Sequence, residues 1–119
     1  MNLVEMLHRN ARVFGEKPAL RYGGNSISFA ELAKEAARAA GWLRAQGVRK
    51  RDRVAVMSLN TPAFVTALYG ALQAGAAVVP INHKLTAPET DYILKHSGAN
   101  VFLFDGALAK VAGGLSADV

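Results

Sequence analysis

Cysteine is absent from the 119 residues. That excludes a disulfide framework, a thiolate zinc site and a thiol nucleophile. Charge is sparse, with Asp, Glu, Lys and Arg making up 19% of the chain, too little for a self-repelling disordered polymer. No such residue occurs from Val54 to His83. A run of that length is enough to cross a bilayer. It is interrupted, however, by Pro62, Gly70, Gly75 and Pro80 and dotted with Ser58, Asn60, Thr61, Thr66 and Gln73. A strand–helix–strand unit buried on both faces accounts for it better, because parallel sheets are covered on both sides. No transmembrane segment is expected. The first residues, Met1 to Arg9, lack the basic-then-apolar order of a signal peptide. The glycine patterns G-x-G-x-x-G, G-x-x-x-x-G-K-[ST] and G-x-S-x-G are also missing.

Hydrophobic residues reach 51%, enough for a core. The length suits one domain or part of one. Net charge is +5 and the pI is near 9.9, a balance compatible with an anionic partner. The cluster Arg49-Lys50-Arg51-Asp52-Arg53 concentrates it. No aromatic residues interleave with that cluster, and it falls between a helix and a strand. It therefore reads as a solvated loop, and no nucleic-acid partner is expected.

Periodicity organises the rest. Leu3, Met6, Leu7, Ala11 and Phe14 form a helical stripe. Pro18–Tyr22 and Ser26–Ser28 read as a hairpin around Gly23-Gly24-Asn25. Ser28 and Glu31 make a capping box. The helix it opens would bury Phe29, Leu32, Ala33, Ala36, Ala37, Ala40 and Leu43, its alanines allowing close approach to a sheet, and Gly47 would close it. Trp42 reads as a packing residue. Strands then begin near Arg53, Ala77 and Asn100 at nearly equal intervals, the first running to Leu59. Between them lie a helix opened by Thr61-Pro62 and stopped at Gly75, and one opened by Thr86-Ala87-Pro88-Glu89 and stopped at Gly98. Alternating strands and helices predict an α/β fold: a hairpin and helix leading into β–α units with a parallel sheet. Residues 1–119 would form a single incomplete domain, with 106–119 a tail whose structure the sequence leaves undetermined.

Ligands in such sheets gather at the carboxyl ends of strands. The candidates are Ser58-Leu59-Asn60-Thr61, Asn82-His83-Lys84 and Asp105-Gly106. His8, His83 and His96 lie on different elements and read as surface or cap residues. Glu89 and Asp91 suit the first turn of a helix and need no catalytic role. No catalytic residue and no metal ligand is assigned within the chain.

Four segments, in order, resemble AMP-forming acyl-CoA synthetases of the adenylate-forming superfamily. Ile27-Ser28-Phe29-Ala30-Glu31-Leu32 is similar to one core motif, and Leu72 to Asn82, with Ala74-Gly75 and Pro80-Ile81-Asn82, to a second. Gly47-Val48 with Asp52 to Val56 resembles the run between them. Asn82 to Thr86 with Tyr92 to Ser97 resembles the acyl-CoA branch. Arg51 stands where that family usually has a turn glycine, and Lys84 where many members have arginine.

The resemblance implies a ligase that activates a carboxylic acid, a fatty acid above all, with ATP and Mg²⁺ to an acyl-adenylate and passes it to CoA. It makes Lys84 a candidate contact to CoA phosphate. The family's phosphate-handling Ser/Thr/Gly loop, its acidic residues and its mobile lysine are not in this sequence. The chain would then be scaffold, inactive alone, partnered by the remainder of an AMP-binding domain and prone to self-association through an exposed sheet edge. The implied location is cytoplasmic or peripheral to a membrane. The rival is a stand-alone α/β interaction module that catalyses nothing.

Overall fold

The computed structural model describes residues 1–115. Helix α1 (Leu3–Phe14) leads into a hairpin of β1 (Pro18–Tyr22) and β2 (Asn25–Ser28), then α2 (Phe29–Ala45). Two β–α steps and a further strand follow: β3 (Arg53–Met57), α3 (Pro62–Gln73), β4 (Ala77–Ile81), α4 (Ala87–Ser97) and β5 (Val101–Phe104). A 3₁₀ turn (Gly106–Leu108) and a short helix, α5 (Ala109–Gly113), fill most of the tail. The last four residues lie outside the described part.

The hairpin is antiparallel, and the second sheet is parallel with order β4-β3-β5. The connection through α3 joins neighbours. The one through α4 carries the chain across β3 to its other side. Strand alternation then sorts the side chains of β3 into two cores. Val54 and Val56 pack with Ala40 and Leu43 of α2 and Ala71 of α3. Ala55 and Met57 pack with Ile81, Leu94 of α4 and Ala99. The sheet is therefore sandwiched between α2/α3 and α4, which explains a β3 with four consecutive buried residues. A third cluster, Leu7, Leu32 and Ala36, holds α1 and the hairpin against α2.

Local signals place the helix starts. Ser28 accepts from Glu31 N at 3.1 Å while Glu31 Oε2 accepts from Ser28 N at 3.0 Å. Thr86 and Glu89 repeat this at α4, and Asn2 and Glu5 at α1. Thr61 sits at the N-cap of α3, but its side chain makes no cap bond. Pro62 in the first turn supplies a preset φ instead.

Several expectations need correction. β3 ends at Met57 rather than Leu59. The next residues must turn into α3, and Thr61 N bonds Leu59 O at 2.8 Å. Ala37 is exposed, and Ala39 turns inward. The alanines of α2 let a helix approach rather than only the sheet: a Cβ added to Gly70 of α3 would lie 2.5 Å from Ala39 Cβ. Trp42 is 52% exposed. The stripe on α1 buries Leu7 alone, leaving Leu3, Met6 and Phe14 substantially open.

Candidate functional site

The three parallel strands deliver their carboxyl ends to one rim. The loop after β3 runs from Ser58 to Thr61. Ser58 Oγ donates to Leu59 O at 2.9 Å, and the Thr61 hydroxyl is buried without a partner. After β4, Asn82 Oδ1 accepts from Lys84 N at 2.9 Å, and Leu85 N bonds Asn82 O at 3.1 Å. This side chain-to-backbone turn fixes the loop and leaves Lys84 exposed. After β5, Asp105 N donates to Met57 O at 3.1 Å, and Asp105 Oδ1 accepts from Ala107 N at 3.0 Å.

The chain leaves β3 toward one face of the sheet and β5 toward the other. Residues Leu108 and Val111 pack with the α4 cluster, whereas Phe64 and Ala67 of α3 pack with the opposite one. A crevice opens at such a switch between neighbouring strands. It has a volume of about 400 Å³, with Ser58, Asp105 and Gly106 at its mouth and Phe64, Ala67, Leu103 and Phe104 as walls. A smaller cavity of about 250 Å³ lies between the hairpin and the start of α3, lined by Arg21, Tyr22, Asn60 and Thr61 among others.

The rim collects all three predicted loops, but the crevice takes only the first and third. Lys84 is one strand further out and does not line it. The apolar walls from α3 carried no sequence signal separable from core packing. Nor did Arg21 and Tyr22, whose approach to α3 depends on the docking of the hairpin.

The Ser58 hydroxyl is committed to a carbonyl, and no histidine lines the crevice. Among the described residues there is no group of three His, Cys, Asp or Glu that could hold a metal ion. His96 stacks on Tyr92, with ring centroids 5.6 Å apart. Glu89 is held below the usual carboxylate value by the Thr86 backbone N–H first and the Thr86 hydroxyl second. That shift belongs to the cap of α4. The basic cluster sits at the opposite end of the sheet, where Arg49, Lys50, Arg51 and Arg53 are exposed. No helix among the described residues is long and apolar enough to cross a membrane.

The family model for AMP-binding enzymes matches residues 7–118. The chain belongs to the AMP-binding enzyme family. A feruloyl-CoA synthase of Amycolatopsis sp is 42% identical over 109 residues, covering 92% of this chain and 22% of that protein. The long-chain-fatty-acid–CoA ligase FadD13 of Mycobacterium tuberculosis is 40% identical over 85 residues, covering 71% of the chain and 17% of the ligase. A solved Mycobacterium tuberculosis fatty acyl CoA synthetase superposes with a TM-score of 0.92 at 34% identity, over 99% of this chain and 24% of that one. The chain thus spans about a fifth of the curated relatives it matches, and its architecture is that of the N-terminal part of an AMP-binding domain. Within that frame the segment Leu72–Asn82 is the end of α3, the Gly75 turn and β4, and it leads straight to the rim.

Proposed function

We propose that this chain is the N-terminal scaffold of an AMP-forming carboxylic acid–CoA ligase, with a fatty acid as substrate. The observation that carries the reading is the superposition on an acyl-CoA synthetase in which this fold occupies only a quarter of the polypeptide. The full enzyme would use ATP and Mg²⁺ to make an acyl-adenylate and pass the acyl group to CoA. The remainder of the AMP-binding domain would supply the metal site, because no group of three His, Cys, Asp or Glu among the described residues could hold a metal ion. Alone, the 119 residues would bind the acid and nucleotide too incompletely to react. The reading places the protein in the cytoplasm or at a membrane periphery, where ATP and CoA are available. The open sheet edge supports self-association of the isolated chain.

Lys84 is the residue of this chain proposed to reach a ligand. Its ammonium is exposed on the rim, it makes no ion pair among the described residues, and the Asn82 turn holds its loop. A cation there suits a phosphate of CoA, as a point charge rather than a bidentate fork. The test grafts this chain in place of the matching part of the Amycolatopsis feruloyl-CoA synthase. In that chimera Lys84→Glu should raise the KM for CoA about tenfold, the worth of one charged contact, and leave the KM for ATP little changed. An unaltered KM for CoA would remove Lys84 from the site.

A further inference from the structure

We infer that Asn82 and Glu89 are positioning residues for Lys84. Standing at the two ends of the connection from β4 to α4, they fix the backbone from which that cation reaches a phosphate of CoA. The inference rests on the reading of Lys84 as a phosphate contact and adds the two side chains that set its affinity.

The connection spans residues 82–86, between Ile81 of β4 and Ala87 of α4. Its last three amides are all committed. Lys84 N donates to Asn82 Oδ1 at 2.9 Å, Leu85 N to Asn82 O at 3.1 Å, and Thr86 N to Glu89 Oε1 at 3.0 Å. The first and last of these bonds end on side chains. Neither belongs to the sheet ladder or to the repeat of the helix, so the shape of the loop depends on Asn82 and Glu89 in particular. Apolar anchors flank the cation as well. Ile81 is buried, and Leu85 packs against the cluster that holds Ile81, Met57 and Leu94. Lys84 lies between these anchors and is exposed. Its main chain is held while its four-carbon stem stays free to extend.

The same bonds turn the nearby acids away from the cation. Glu89 Oε1 also accepts from the Thr86 hydroxyl at 2.8 Å, and Asp91 pairs with Lys95 at 2.9 Å. The carboxylates at the start of α4 are thus engaged within their own helix and its cap. A lysine opposed by a carboxylate would have to break that pair before meeting a phosphate. The Thr86 contacts also favour the ionised form of Glu89, and bonds to an ionised acceptor are the stronger ones. A loop ordered in this way has already lost the conformational freedom that binding would otherwise remove.

Steady-state kinetics on the feruloyl-CoA synthase chimera test this. Asn82→Ala and Glu89→Ala should each raise the KM for CoA about fivefold, the scale of one lost hydrogen bond, and leave the KM for ATP little changed. Asn82→Ser and Glu89→Gln keep an accepting oxygen at each place and should recover most of the affinity. In a Lys84→Ala background neither alanine variant should raise the KM for CoA further, because each acts through the lysine. Circular dichroism and thermal melts separate a displaced loop from an unfolded α4. Should Glu89→Ala melt that helix, Asn82→Ala, which lies outside any helix, carries the test. An unchanged KM for CoA in the alanine variants, equal rises in both KM values, or effects that persist in the Lys84→Ala background would overturn the inference and leave Lys84 in its place. A Lys84→Ala chimera with the parent KM for CoA would remove the reading of Lys84, and the inference with it.

Discussion

Arg51 adopts φ 75°, the single positive φ among the described residues that is not glycine's. Its N–H donates to Gly75 O at 2.9 Å, so the turn is pinned to the start of β4 and cannot relax. A left-handed residue with a Cβ costs about 1–2 kcal/mol. The sequence shows the discrepancy, arginine where the family has a turn glycine. It predicts resistance to positive φ, and the structure shows the backbone taking that conformation regardless. Arg51→Gly should stabilise the chain by about 0.5–1 kcal/mol, the relief of strain exceeding the added flexibility of the unfolded state. A urea midpoint at or below that of the parent would contradict this. The opposite end of the contact is legible too. Gly75 has φ 90° and a Cβ added there would lie 3.2 Å from Lys50 Cα, so its glycine serves a conformation and a close approach together. Lys84 and Asp105 were also legible, because strand ends can be counted from the sequence. Whether their side chains converge was not, since that depends on strand order, and the sheet places β3 between them.

At the scale of elements, helix starts were readable wherever a cap is local. Ser28/Glu31 and Thr86/Glu89 each close a reciprocal pair within four residues. Thr61 looked equivalent in sequence, yet its hydroxyl is buried without a partner. The face of α2 was only half readable. Leu32, Ala36, Ala40 and Leu43 follow helical spacing, but the choice between Ala37 and Ala39 is made by α3, a contact distant in sequence. That contact makes Gly70→Ala destabilising by about 1–3 kcal/mol, the cost of an added methyl in a packed interface. Chemical denaturation would show it, and an unchanged midpoint would mean the helices separate freely. The α4 cap yields a pH dependence. Glu89 has its folded value lowered, so the stability it contributes is complete above its ordinary value of 4.5 and is lost as pH falls through the lowered one. Between about pH 6 and about pH 3, Glu89→Gln should lose less stability than the parent, because glutamine keeps an acceptor without titrating. Equal losses in urea titrations would assign the acid sensitivity to other carboxylates.

The whole molecule is looser than its length requires. Its radius of gyration is 14.8 Å, against about 13.5 Å for a compact chain of this size. Leu3, Met6, Val13, Phe14, Trp42 and Phe104 remain open to solvent. Hydrophobic spacing predicted these apolar faces but could not say which would find a cover. α1 docks through Leu7 and leaves the neighbouring stripe bare, and α2 turns Trp42 outward beside the β5 edge. Such surfaces suit a portion of a larger domain. The central claim is that this fold supports an adenylating site whose reacting groups lie elsewhere. Pyrophosphate release with ferulate and ATP, measured for the isolated chain and for the feruloyl-CoA synthase chimera carrying it, tests that claim most directly. The account predicts none from the chain, and release from the chimera with the acid preference of the parent synthase. Release by the chain alone, or a folded chimera that is silent or has changed its preferred acid, would contradict it.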